Sequence, residues 1–96
     1  MLFVVTAIDK ENALALRLAT REAHFAYARE TGVIRLGGPF LSSKDEMAGS
    51  LIIFEAADLE AAKAWHANDP YVKAGLFAHS EVRPWKMTFN ACDAKL

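Results

Sequence analysis

The sequence predicts an α+β domain of ferredoxin-like, βαββαβ order, with a four-stranded antiparallel sheet and both helices on one face. Three observations carry this. Apolar strand patterns at Leu2–Ile8, Val33–Leu41, Met47–Glu55 and within Phe77–Phe89 alternate with two helical patterns in the order β, α, β, β, α, β. Only the short polar turn Ser42–Glu46 separates the second and third strands, so these form a hairpin. The 96 residues suffice for one domain, residues 1–96, and no internal repeat, linker or low-complexity tract divides it.

Each element has a local reason. Leu2–Ile8 is dense in Val, Phe and Ile and reads as a buried strand. Asp9 is then placed to cap a helix whose good formers continue through Glu30, with Leu14, Leu18, Phe25 and Ala28 on one stripe expected to face the sheet and Thr31-Gly32 as the stop. Gly37-Gly38-Pro39 interrupts the second strand and predicts a bulge or bend there. The third strand centres on Leu51–Phe54. Asp58 caps a second helix in which Leu59, Ala62 and Trp65 keep helical spacing to about Asn68. Asp69-Pro70 opens a short turn closed by Gly75, with Asp69 as N-cap and Pro70 at the first helical position.

The strands are apolar on both sides. Leu2, Val4 and Ile8 alternate with Phe3, Val5 and Ala7, and Leu51 and Ile53 with Ile52 and Phe54, whereas a sheet covered on one face alternates apolar with polar. Two helices cover one face. The simplest cover for the other is the same sheet of a second copy, so a homodimer built face to face through the sheet is expected.

Charge narrows the partners. Eleven Lys plus Arg against 12 Asp plus Glu leave a formal charge of -1, with no basic footprint for nucleic acid or an anionic membrane. The single cysteine, Cys92, has no intrachain partner and no metal-ligand spacing, which fits a reducing compartment. No apolar run approaches the roughly 20 residues of a membrane span, so a soluble, cytoplasmic protein is expected. Nothing in the residues calls for a metal, and no P-loop or dinucleotide fingerprint is present.

The residues that can carry chemistry are few. Arg17, Arg21, His24 and Tyr27 fall along one side of the first helix at separations of three, four and seven. A histidine there can act as general acid or base, and the two arginines can hold a substrate carboxylate. The same four residues also suit an ordinary solvated helix face. Asp69 can do more than cap: a carboxylate has enough lone pairs to serve a backbone N–H and to orient an imidazole, fixing its tautomer and raising its basicity. Ser50 lacks the elbow of a nucleophilic serine, while His66, His79, Trp65, Trp85 and Tyr71 read as structural or rim residues.

Together, Arg17-Leu18-Ala19-Thr20-Arg21-Glu22-Ala23-His24, Gly37-Gly38-Pro39, Gly49-Ser50, Asp69-Pro70-Tyr71-Val72-Lys73-Ala74-Gly75-Leu76 and Val82-Arg83-Pro84-Trp85 resemble the YciI-like (YCII-related) family over nearly the whole chain. The resemblance implies a dimeric α/β barrel with a histidine–aspartate pair in a cleft, carried here by His24 and Asp69. Relatives in that family include a dehydrochlorinase acting on a chlorinated hydroxyquinol, with more distant similarity to muconolactone isomerases. It therefore implies a lyase or isomerase that moves a proton on a small, oxygenated, cyclic substrate without metal or organic cofactor. Arg17, Arg21, Ser50 and the Gly38 backbone would then orient substrate oxygens or stabilise developing charge. A small-ligand binding or accessory protein without turnover is the alternative, and a purely structural interaction domain the third.

Overall fold

The computed structural model describes all 96 residues. Strand β1 (Leu2–Asp9) leads to helix α1 (Leu14–Thr31), then strands β2 (Ile34–Gly38) and β3 (Gly49–Glu55), helix α2 (Leu59–Ala67), a single turn of helix α3 (Pro70–Lys73) and strand β4 (Phe77–Pro84). The strands lie in the order β2-β3-β1-β4, and every neighbouring pair is antiparallel. This is the ferredoxin-like βαββαβ arrangement, the single-chain unit of the dimeric α/β barrel fold.

Register decides which side chains meet. Phe3 lies opposite Phe54, Val5 opposite Ile52 and Ala7 opposite Ser50, all on the helix-covered face. These six, with Ala62 of α2, are buried, and Trp65 stacks on Phe54 at 4.3 Å between ring centres. The other face carries Val4 opposite Ile53 and Thr6 opposite Leu51, with Leu36 of β2 beside Ile53. Ile8 and Leu36 are about half exposed there, and β4 adds a polar edge of His79, Glu81 and Arg83. The two-faced apolar pattern of β1 and β3 is therefore present, and in one copy of the chain the second face is open at Ile8 and Leu36 while Ile53 is buried.

Caps and stops follow local chemistry. Asp58 accepts from the Ala61 N–H at 2.8 Å, and Gly32 ends α1 in the left-handed conformation (φ 63°) that costs glycine nothing. Gly49 is required for another reason: a Cβ there would stand 2.3 Å from the Ala7 carbonyl oxygen. The bulge in β2 falls between Ile34 and Leu36, ahead of Gly37-Gly38-Pro39, after which the hairpin regains pairing through Phe40 and Ala48. The last strand stops at Pro84, five residues short of Phe89, with one further bond to β1 from the Trp85 N–H to the Leu2 carbonyl at 3.0 Å.

Two expectations about α1 are overturned. Asp9 does not cap it. The strand ladder continues through Asp9, whose carboxylate binds Arg17, and the helix begins four residues later than a cap at Asp9 would require, at an Ala13 cap that makes no side-chain hydrogen bond. Nor does the Leu14, Leu18, Phe25 and Ala28 stripe turn inward, since Leu18 is 49 % and Phe25 38 % exposed. The buried residues of α1 are Arg17 and His24. Arg17 ties its first half to β1 and β3. Tyr27 ties its second half to α2, its hydroxyl donating to the Trp65 carbonyl at 2.7 Å, while the Trp65 indole donates to Thr31 Oγ1 at 3.0 Å. Between these anchors lies a cavity.

Candidate active site

The cavity has a volume of about 280 Å³ and lies between α1 and the β2–β3 hairpin. Its apolar wall comes from Phe25, Ile34, Met47 and Ile52, and its polar groups are Arg17, Arg21, His24, Ser50 and Tyr71. Gly37 and Gly38 bring bare backbone to its rim, and a Cβ on Gly38 would meet nothing within 4 Å.

His24 and Asp69 meet at one end. Nδ1 of His24 lies 2.9 Å from Asp69 Oδ1 and 3.1 Å from Oδ2, while Oδ1 also accepts the Tyr71 N–H at 2.9 Å. Asp69 is fully buried and His24 is 9 % exposed. Capping and contact with the imidazole thus coexist in one carboxylate. An ionised carboxylate only accepts hydrogen bonds, so facing it Nδ1 carries the proton and Nε2 has a free lone pair.

Arg17 is held by four contacts. Nε and Nη2 bind Asp9 Oδ2 and Oδ1 at 2.8 and 3.0 Å, and Nη2 also reaches the Gly49 carbonyl and Ser50 Oγ, each at 2.8 Å. Burial works against the charge on this guanidinium, but the hydrogen bonds and charge of Asp9 outweigh it and Arg17 is held above its ordinary value. Arg21, one turn along, is exposed, makes no ion pair, and lies over the Phe25 ring at 5.3 Å.

Tyr71 joins the two halves. Its ring stacks on the His24 imidazole at 4.2 Å and 17°, and the Arg17 guanidinium carbon sits 4.8 Å from its centre. Burial pushes the phenol up from its ordinary value, the charges of Arg17 and Arg21 opposing and that of Asp69 assisting. Neither Tyr71 nor Asp9 stands among the site residues expected from sequence. For Tyr71 the signal was its place two residues after a capping aspartate, which sets it against whatever that carboxylate holds. Tyr27, on the same side of α1 in sequence, is engaged with Trp65.

His66 is buried nearby without lining this cavity. Nε2 faces Ser80 Oγ at 2.9 Å, Nδ1 has no partner, and burial lowers its pKa while the Asp69 charge opposes. With a folded pKa below the unfolded one, the unfolded chain binds the proton more readily. Stability should therefore hold above about pH 6.5 and fall as pH drops below it, by at most about 1.4 kcal/mol per pH unit. Urea unfolding across that window checks this, and His66→Gln should flatten the dependence. Nowhere do three His, Cys, Asp or Glu side chains converge as metal ligands would, and no helix is long and apolar enough to cross a membrane.

Residues 1–86 match the YCII-related domain model. The chain belongs to the YCII-related family. It is 41 % identical to Protein YciI of Escherichia coli O6:H1 over 93 % of this chain and 100 % of that protein. An uncharacterized protein of Haemophilus influenzae is 38 % identical over the same shares. Among solved structures, the 5-chloro-2-hydroxyhydroquinone dehydrochlorinase TftG of Burkholderia phenoliruptrix AC1100, in complex with 2,5-dihydroxybenzoquinone, aligns with TM-score 0.82 and 35 % identity over 92 % of this chain and 96 % of its own. SnoaB, a cofactor-independent oxygenase from Streptomyces nogalater, aligns with TM-score 0.60 at 11 % identity over 96 % of this chain and 97 % of its own, a likeness of fold alone.

Proposed function

We propose that this YCII-related chain is a cofactor-independent lyase or isomerase that moves a proton on a small, oxygenated, cyclic substrate. The observation that carries the reading is the buried contact of His24 with Asp69 at the end of a cavity with one apolar wall. A general base must offer a free lone pair to the reacting proton, and an imidazole whose Nδ1–H is tied to a carboxylate offers Nε2. Similarity to a dehydrochlorinase at 35 % identity supports the same class of step. In dehydrochlorination of a hydroxyquinol's diketo tautomer His24 takes the proton from a saturated carbon beside a carbonyl, that C–H electron pair forms the double bond to the neighbouring carbon, and chloride departs from that neighbour with the electrons of the C–Cl bond. In isomerisation the same nitrogen returns the proton to another carbon.

The other residues divide by what they are free to do. The Arg17 charge is matched by Asp9, so its guanidinium fixes Ser50 and the β3 backbone more than it attracts an anion. Arg21 is the cation without a carboxylate, suited to a substrate oxyanion. The Ser50 hydroxyl and the Gly38 backbone supply uncharged contacts at the far wall.

The test is 5-chloro-2-hydroxyhydroquinone, with chloride release followed for the wild type and His24→Gln. Release that is lost in the variant supports the reading. Saturable binding without release by the wild type would replace it with the accessory, ligand-binding function. The second sheet face completes the proposal as the seat of a second copy, because Ile8 and Leu36 expose apolar surface beside the half-buried Val4 and Leu51, with an edge of charges along β4. Light scattering at micromolar concentration should give twice the 10.6 kDa chain mass; monomer mass would refute the pairing.

A further inference from the structure

We propose that Tyr71 is a third catalytic residue of this site, its hydroxyl donating a hydrogen bond to the substrate oxygen that gathers negative charge as His24 takes a proton. The inference rests on the function proposed above and deepens it. Once a proton leaves a carbon next to a carbonyl, or leaves a ring hydroxyl, the negative charge left behind comes to rest on oxygen. A base alone does not hold that charge; a donor fixed in advance does.

Tyr71 is such a donor by geometry. Its ring is almost wholly buried, yet it lines the cavity. The Arg17 guanidinium lies within hydrogen-bonding reach of the phenol oxygen, to which it can only donate, and no protein group takes the phenol's own proton, which is left to the cavity that Tyr71 lines. The ring cannot swing away. It is stacked on His24 on one side, edged by Phe77 at 6.1 Å and 69°, and faced by the Arg17 guanidinium. Its own backbone N–H binds the carboxylate that holds the imidazole. Base and donor are therefore set relative to one another by Asp69, and their spacing does not depend on a flexible loop.

Tyr71 acts beside the other donors of the cavity. Nε and Nη2 of Arg17 serve Asp9, Gly49 and Ser50, and Arg21 stands exposed over Phe25, so Tyr71 is the donor fixed directly against the His24 ring. Burial keeps the phenol protonated at neutral pH, which is the state that donates. The proton stays on Tyr71 throughout; the residue stabilises charge and transfers nothing.

A probe that carries an oxyanion from the outset separates this role from packing. The 4-nitrophenolate anion, followed by its own visible absorbance, should bind the wild type and lose about ten- to a hundred-fold in affinity in Tyr71→Phe, which keeps the ring and removes the hydroxyl. Nitrobenzene, equally flat and uncharged, should bind both proteins alike. Tyr71→3-fluorotyrosine, with a more acidic phenol of nearly the same size, should bind the anion more tightly than the wild type. Equal nitrophenolate affinity across the three proteins overturns this inference alone. Absence of saturable binding by the wild type overturns it together with the anion-binding cavity from which it follows.

Discussion

Asp9→Ala is expected to cost about 3–5 kcal/mol of folding stability, the range measured when one partner of a buried ion pair is removed. The Arg17 and Asp9 side chains are 4 % and 5 % exposed and share two hydrogen bonds. Without the carboxylate, the guanidinium keeps only a carbonyl and a hydroxyl oxygen, and its charge stays buried with nothing to balance it. Against a typical total of about 5–15 kcal/mol, that loss is enough to populate the unfolded chain. Urea unfolding at fixed protein concentration reads it, since any dimer makes apparent stability depend on concentration. Asp9→Ala combined with Arg17→Met should be less damaging than Asp9→Ala alone, because the orphaned charge is removed as well. A cost under about 1 kcal/mol for the single change would mean that water screens the pair.

Asp69→Asn should lower turnover steeply while leaving the fold standing. Asparagine keeps an oxygen for the Tyr71 N–H and so preserves the cap. Its second atom is an NH2, facing Nδ1 of His24 where an oxygen stood at 3.1 Å. A donor at that position makes Nδ1 the acceptor and moves the imidazole proton to Nε2, the nitrogen that must take the substrate's proton. In hydrolytic triads the same reversal lowers turnover by about 10⁴, and a loss of about 10³–10⁴ is expected here. Nitrogen-15 shifts of the His24 ring report the tautomer directly. An unchanged tautomer with unchanged turnover would reduce Asp69 to a helix cap.

Strand order and capping were legible because their causes are local. The alternation in β1 and β3, Asp58 before α2, Asp69-Pro70 before α3 and Gly32 after α1 each speak through one or two neighbouring residues. Helix α1 was legible only in part. Its apolar stripe suggests the wrong inward face because the inner side carries the polar groups of the cavity, where Arg17 and His24 are buried through partners 8 and 45 residues away. Nothing in the spacing around Asp9 announces Arg17, so a cap was the nearest local use for it. The candidate residues His24, Asp69, Arg17, Arg21, Ser50 and Gly38 do converge on one cavity or its immediate support. Tyr71 is not legible as a site residue because a buried aromatic in a small domain is ordinarily core.

Asp69 answers to two masters, and that makes its presence a poor signature. A chain of this type that had lost all chemistry would still keep an aspartate before Pro70 to start α3, because the Tyr71 N–H needs an acceptor whether or not an imidazole stands on the other side. His24 has no such second employment: on the inner face of α1, where Leu or Met would fill the space without burying a polar ring, only the site gives it a reason to be there. When homologous chains are sorted into those that can act on a substrate and those that can only hold one, the informative column is therefore position 24.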